Sequence, residues 1–193
     1  VDNETTIAYI GLGSNLGDRA GNLLLAVRGL MESGMIVNRL SAIYETEPVG
    51  VSDHGLYLNM VAEVHTLNIT PSQMLARMIR VEYLLGRRHK FLQEPRTADL
   101  DLLFYGDIRI DTEFLKVPHK SVHQRKFVLV PLTELAPHLI HPVENKSIET
   151  LLQEVDDLSI VRRWDPNADA LGSESIHSTD DTQFSTQTSS SES

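Results

Sequence analysis

Two aspartates stand two residues apart in EPRTADLDLLFYGD, residues 94–107. Read as a strand from Thr97 to Tyr105, the segment puts Asp99 and Asp101 on one face and Leu100, Leu102 and Phe104 on the other, because strand side chains alternate. The carboxylates then stand roughly 6.6 Å apart along the chain, two residues of strand rise. Paired hard oxygen ligands suit Mg²⁺, which is typically held by one or two carboxylates plus substrate phosphates. Two metal ions about 4 Å apart could be bridged there. D-x-D by itself also fits a strand with one solvated face. Acidic residues are poor strand formers, however, and these two lie opposite a highly apolar face. Arg96 lies three residues before Asp99, with Arg87 and Arg88 across a loop. Cations and metal carboxylates therefore converge, the layout on which phosphoryl transfer depends. The loop from Arg87 to Pro95 has no regular period and reads either as a solvated basic loop or as a lid that delivers arginines on closure.

An organic substrate needs a different set of groups. Tyr57 and Asn59 share one face of an alternating segment, Tyr57–Thr66, and an aromatic plate beside a carboxamide can stack a flat heterocycle and read its edge. Thr46 and Val49 flank the neighbouring loop, completing a plausible pocket wall. The histidines show no zinc spacing, and His119, after Val117-Pro118, is the one singled out as a phosphate donor, a turn histidine being the plainer alternative. In YIGLGSNLGD, residues 9–18, the third glycine falls at Gly17 where a dinucleotide loop after Gly11 and Gly13 would need it at 16. The stretch reads as a turn between a strand and a helix.

The elements that must position these groups follow from periodicity. Thr6–Leu12 reads as a strand, and Leu23, Val27, Leu30 and Met31 fall on one face of a helix from about Asp18 to Ser33. A strand is expected across Ile36–Thr46 and another over Tyr57–Thr66, where Leu58, Met60, Ala62 and Val64 share the buried face. Thr70-Pro71-Ser72-Gln73 carries a capping box and a proline at the first helical position. The helix it starts ends near Gly86, with Leu75, Met78, Ile79 and Leu85 buried and Arg77, Arg80 and Glu82 more exposed. With the Asp99 strand the order is βαββαβ, which predicts an α+β, ferredoxin-like antiparallel sheet with both helices on one face and the other free to hold a site. Residues 108–164 form a less regular C-terminal extension: a short strand, a turn at Val117-Pro118-His119, an apolar run Phe127–Val130, a proline-bounded turn, and a helix near Ile148–Val155.

Composition bounds what such a domain can be. The 193 residues include no cysteine, so disulfides and thiolate metal sites are out, and cytoplasm is the default expectation. No apolar run approaches the roughly 18 residues of a membrane span, and Val1-Asp2-Asn3-Glu4 lacks a signal-peptide start. Of the net charge of −10, six acids and no Lys or Arg lie from Asp165 onward, leaving 21 acids against 17 bases, −4, on residues 1–164. Eight Ser and four Thr crowd residues 165–193, which read as a disordered acidic tail after one domain, 1–164. Basic residues cluster at Arg87-Arg88-His89-Lys90, Arg96, His119-Lys120 and Arg125-Lys126, which suits an anionic small molecule. Nucleic acid is disfavoured by the acidic balance and the lack of a basic stripe with interleaved aromatics. Neither a membrane nor an obligatory protein partner is indicated.

Seven segments, in order and at matching spacing over residues 6–164, resemble the 6-hydroxymethyl-7,8-dihydropterin pyrophosphokinase family of folate biosynthesis: YIGLGSNLGD, YETEPVG, YLNMV, EYLLGRR, PRTADLDLLFYGD, VPH and FVLVPLTELAPHL. The resemblance implies the ferredoxin-like fold and transfer of the β,γ-pyrophosphoryl group of ATP, the co-substrate, to the pterin hydroxymethyl oxygen, leaving AMP. It implies that Asp99 and Asp101 bind two Mg²⁺ ions and that Arg87 and Arg96 steady the transferring group. Tyr57 and Phe127 would sandwich the pterin while Thr46, Val49 and Asn59 read its edge; Glu82, His119 and Arg125 would lie on the nucleotide side. Within the lid, His89 stands where the family commonly has a second arginine and Glu94 replaces a glycine, which predicts weaker or differently gated ATP binding. The competing readings are a non-catalytic ferredoxin-like ligand-binding module descended from such an enzyme and a Rossmann-type oxidoreductase, the latter failing on glycine spacing and on the lack of repeated βαβ units.

Overall fold

The computed structural model describes residues 5–47, 55–86 and 97–167. Val49, the expected lid at 87–95, Arg96 and nearly all of the tail lie outside them. A mixed α/β architecture is built on strand β1 (Thr5–Ser14), which pairs antiparallel with β4 (Tyr57–Leu67) through ten residue pairs, from Thr5↔Leu67 to Ser14↔Leu58. Strand β5 (Asp99–Tyr105) pairs antiparallel on the other side of β1. The segment expected as one strand at 36–46 is two, β2 (Ile36–Leu40) and β3 (Tyr44–Thr46), both on β4. Ser41 marks the break: its N–H donates to the Val61 carbonyl, while its hydroxyl accepts from the Val61 N–H at 2.9 Å, side chain replacing backbone in the ladder.

Helices α1 (Arg19–Glu32) and α2 (Pro71–Leu84) bury one face of the sheet. Asp18 caps α1 by accepting from the Gly21 N–H, and the expected capping box of α2 forms in full between Thr70 and Gln73. Leu23, Ala26, Val27 and Leu30 of α1 and Met74, Met78 and Val81 of α2 pack on Ala8, Ile10, Leu12, Leu58, Met60, Ala62, Val64, Leu100 and Leu102. Each such large side chain, fully buried, is worth about 1.5–3 kcal/mol. Met31 and Ile79, expected in these stripes, face solvent; α2 is turned so that Val81 and Glu82 point inward.

The opposite face is not left free. The apolar run after Arg125 is a helix, α3 (Lys126–Leu135), with Pro131 inside it rather than at a turn. With α4 (Ile148–Glu154) it covers Tyr9, Val61, Leu103 and Phe104, forming a second core. Phe104 was expected beside Leu100 and Leu102. Tyr9 pairs with Phe104 but Ile10 pairs with Leu102, so Leu103 is the extra residue of a β-bulge, and beyond it the alternation reverses. Phe104 thereby joins the face of Asp99 and Asp101, edge-on to the Tyr9 ring.

A two-stranded ribbon, β6 (Ile110–Asp111) and β7 (Lys116–Val117), leads to a 3₁₀ turn at Val122–Gln124. The sequence pattern did not announce β8 (Val161–Arg163), which adds to β3 and brings Trp164 against the first core. Among the described residues no helix is long and apolar enough to cross a membrane.

Candidate active site

The acidic pair sits at the start of β5, half-buried, with Asp99 opposite Gly13 and Asp101 opposite Gly11. Continuing across the sheet, Gly13 is also opposite Asn59, and Asn59 opposite Tyr44, so Asp99, Gly13, Asn59 and Tyr44 form one row over four strands. With strands about 4.8 Å apart, Asp99 and Asn59 flank a gap about 10 Å wide whose floor is a glycine. A Cβ on Gly13 would stand 3.1 Å from Asn59 Oδ1, and one on Gly11 would meet Leu103 Cδ2 at 3.4 Å. Gly13 keeps the floor low enough for the Asn59 carboxamide to lie over it.

On the far side of the gap, Asn59 Nδ2 donates to Thr46 Oγ1 at 2.8 Å, both side chains being buried. Thr46 pairs with Tyr57, which is half-buried at the end of β4. Phe127 lies in the first turn of α3, packed against the second core, with the Arg125 guanidinium carbon 5.7 Å from its ring centre. Three hydrogen bonds that the sequence pattern did not reveal hold α3 there. The Tyr44 hydroxyl and the Ala42 N–H both donate to Glu134 Oε2, at 3.1 and 3.0 Å, and the Lys126 N–H donates to Asp157 Oδ2 at 2.8 Å. Pro131 has no N–H, so the Phe127 carbonyl receives no helical hydrogen bond from it.

His119 follows the cis Val117–Pro118 bond, and its backbone N–H donates to the carbonyl of the bulge residue Leu103 at 2.9 Å. That bond docks the turn on β5 beside the aspartates. Burial pushes the imidazole pKa below its ordinary value; Asp101 and Asp99 pull it back up, and Arg125 and Lys120 push it further down. His119 Nδ1 accepts from the Ser121 N–H at 3.4 Å, so the neutral ring carries its proton on Nε2.

Glu82 corrects the reading of α2. Expected among the exposed residues, it is 2 % exposed, and its Oε1 accepts from the Leu100 N–H at 2.8 Å. Among the described strands β5 is the edge of the sheet, so this N–H points away from β1, and the carboxylate supplies its acceptor. The peptide so held is the one between the two aspartates. The structure thus gathers Thr46, Tyr57, Asn59, Asp99, Asp101, His119, Arg125 and Phe127 at one sheet face, with Glu82 behind it; Val49, Arg87 and Arg96 lie outside the described residues.

The model of the 7,8-dihydro-6-hydroxymethylpterin-pyrophosphokinase (HPPK) family matches residues 9–137, from within β1 to just past α3. The chain belongs to this family. An HPPK relative from Aquifex aeolicus, named 2-amino-4-hydroxy-6-hydroxymethyldihydropteridine pyrophosphokinase, is 37% identical over 146 residues, 76% of this chain and 90% of the relative. One of the same name from Bacillus subtilis is 45% identical over 130 residues, 67% and 77% of the two chains. Some HPPK sequences are parts of longer chains: Folic acid synthesis protein fol1 of Pneumocystis carinii is 38% identical over 160 residues, only 21% of its length. The crystal structure of wild-type Plasmodium falciparum HPPK-DHPS with pteroate shares the fold, with a TM-score of 0.63 at 19% identity over 80% of this chain and 43% of that one.

Proposed function

We propose that this HPPK carries out its reaction at the row running from Asp99 over Gly13 to Asn59, with phosphates at the acidic end and the pterin at the amide end. The reaction is transfer of pyrophosphate from ATP to 6-hydroxymethyl-7,8-dihydropterin, giving AMP and the pterin diphosphate, in folate synthesis. The hydroxymethyl oxygen bonds to the β-phosphorus, the bond from that phosphorus to the bridging oxygen of AMP breaks, and the hydroxyl proton is released.

Asp99 and Asp101 are fit to hold Mg²⁺. They are two hard oxygen donors on one face, half-open to solvent and fixed from behind by Glu82 through the Leu100 peptide. Two bound ions would neutralise the phosphate charge that develops during transfer. The carboxylates set where the phosphates sit; Arg125 and His119, beside them, add a cation and an N–H donor on the nucleotide side. Arg87 and Arg96 are assigned to the transferring group. On the pterin side Asn59, its Nδ2 committed to Thr46, keeps Oδ1 as an acceptor for an N–H on the heterocycle edge. Tyr57 and Phe127 supply the flat walls, and Val49 a further edge contact.

The sheet order β5-β1-β4, with β2 and β3 both on β4 and every neighbour antiparallel, supports a ferredoxin-like βαββαβ unit carrying a C-terminal extension. Trp164, packed against the first core, supports a single domain through residue 164 with a tail from 165. The observation that carries the functional reading is the glycine-floored gap between a carboxylate pair and a fixed carboxamide. A non-catalytic binding module would need the amide end alone.

The test is AMP formation from ATP with 6-hydroxymethyl-7,8-dihydropterin and Mg²⁺, comparing the wild type with Asp101→Ala. Pterin-dependent AMP that falls at least about a hundredfold in the variant supports the reading, since removing preorganised transition-state stabilisation typically costs about 10²–10³. Folded wild-type protein that forms no AMP, or a variant that keeps its rate, overturns it.

A further inference from the structure

The pterin end of the site depends on two strand ends, Thr46 closing β3 and Tyr57 opening β4, and both are preceded by residues tied to one side chain. Arg19, the first residue of α1, donates from Nη1 to the Leu56 carbonyl at 2.8 Å, and the same nitrogen lies 3.0 Å from Glu45 Oε1. Glu45 alternates with Thr46, so its carboxylate points to the α1 side of the sheet while the Thr46 hydroxyl points to the site. It is 6 % exposed. Burial alone would raise its pKa, but the Arg162 and Arg19 guanidinium groups outweigh that and hold it below the usual carboxylate value. Arg162, on β8, pairs with Oε2 and is itself mostly exposed.

We infer that Arg19 is a positioning residue for pterin binding. From behind the sheet it holds the residue before Thr46 and the residue before Tyr57 together, and so fixes the Thr46–Asn59 hydrogen bond and the placement of the Tyr57 ring. Arg162 shares the carboxylate through Oε2, so its removal leaves Arg19's ties to Oε1 and to the Leu56 carbonyl in place, which makes it the internal comparison. A guanidinium can serve a carbonyl and a carboxylate at once because it presents several N–H donors in a fixed plane. A lysine ammonium has donors enough for both acceptors but is a compact head on a flexible stem, so it holds the two less firmly. The Asp99 end receives no contact from Arg19, so the effect is confined to the pterin.

This rests on the pterin pyrophosphokinase reading, and an equilibrium binding measurement separates the two. Pterin affinity is read from ligand fluorescence in the presence of Mg²⁺ and an ATP analogue with a methylene group between the α- and β-phosphorus, for the wild type and for Arg19→Ala, Arg19→Lys and Arg162→Ala. Nucleotide affinity and urea stability are measured on the same proteins. The expected result is pterin affinity weakened about tenfold in Arg19→Ala, partly restored in Arg19→Lys and within about twofold of wild type in Arg162→Ala, with nucleotide affinity unchanged throughout. If Arg19→Ala fails to fold, Arg19→Lys carries the test, with a threefold or greater loss expected for pterin alone. Wild-type pterin affinity in a folded Arg19 variant, or equal losses for pterin and nucleotide, overturns the inference and leaves the functional reading standing. A wild type that binds no pterin overturns both.

Discussion

Neutralising Glu63 is expected to remove about 3 kcal/mol of folding stability at neutral pH and most of one segment of the acid unfolding curve. Glu63 lies in β4 with a side chain almost wholly buried, and four donors converge on it. Oε1 accepts from Asn38 Nδ2 at 2.7 Å and from Arg39 Nε at 3.2 Å; Oε2 accepts from Arg39 Nη2 and from the Tyr9 hydroxyl at 3.2 Å. The Arg39 bonds, working against burial and aided by Asn38 and Tyr9, bring its pKa from the ordinary 4.5 to about 2. At roughly 1.4 kcal/mol for each tenfold change in proton affinity, that fall corresponds to about 3 kcal/mol. The same neighbourhood raises Tyr9 to about 12, through burial first and then the charge of Glu63, so Tyr9 remains a donor across the whole range.

The sign follows from the direction. A carboxyl whose folded pKa lies below its unfolded value contributes stability that is fully present above the unfolded value, near 4.5, and is lost as pH falls toward about 2. In Glu63→Gln that contribution is absent at every pH. Arg39 is half-exposed and keeps its bond to the Leu135 carbonyl at 2.8 Å, so the substitution strands no cation inside the protein and the loss stays near the linkage value. For a domain of this size, about 3 kcal/mol is a fall in Tm of about 6–12 °C. Urea unfolding of both proteins from about pH 7 to about pH 3 checks it: the two stabilities should converge as pH drops. Parallel curves over that range, or a cost below about 1 kcal/mol at pH 7, would refute the reasoning.

Two further substitutions probe the site from its floor and from behind. Gly13 has no left-handed backbone that would exclude alanine, so Gly13→Ala should fold, but its Cβ, 3.1 Å from Asn59 Oδ1, makes the carboxamide oxygen give way by a few tenths of an ångström. The displaced Oδ1 is the acceptor offered to the heterocycle edge, so the expected outcome in steady-state kinetics is a KM for the pterin raised about tenfold, about 1.4 kcal/mol, with the KM for ATP unchanged; an unchanged pterin KM would show that the floor is not part of the pocket. Glu82→Leu removes the acceptor of the Leu100 N–H and should cost about 1–3 kcal/mol in urea unfolding while raising the Mg²⁺ concentration needed for half-maximal rate. Glu82→Gln retains an acceptor oxygen and should recover most of both; equal losses in the two variants would assign the effect to charge instead.

What the sequence made legible is local. The cap of α2 formed as its residues dictate, because Thr70 bonds to backbone three residues away. The alternation in β4 likewise places Leu58, Met60, Ala62 and Val64 in the first core, with Val61 in the second. Asp99 and Asp101 come out on one face because no irregularity separates them. Three residues further on, the same rule misplaces Phe104, since the bulge at Leu103 arises from pairing with β1, about ninety positions earlier in the chain.

The three acids that shape the site from within, Glu45, Glu63 and Glu82, were illegible for a related reason. A glutamate in an amphipathic pattern is placed on the polar side because an unpaired buried charge is prohibitive. Each of these finds a donor that no local period encodes: Arg19 and Arg162 for Glu45, Arg39 for Glu63, and a main-chain N–H of β5 for Glu82. Their positions divide the labour. Glu45 secures the strand ends that carry Thr46 and Tyr57, and Glu82 secures the Asp99–Leu100 peptide. Glu63 locks β4 to β2 and, through Arg39, to α3, the helix that brings Phe127 to the site. Stability in this domain is therefore spent on buried charge at three points where the sheet holds a group of the proposed site still, and the apolar cores supply the rest.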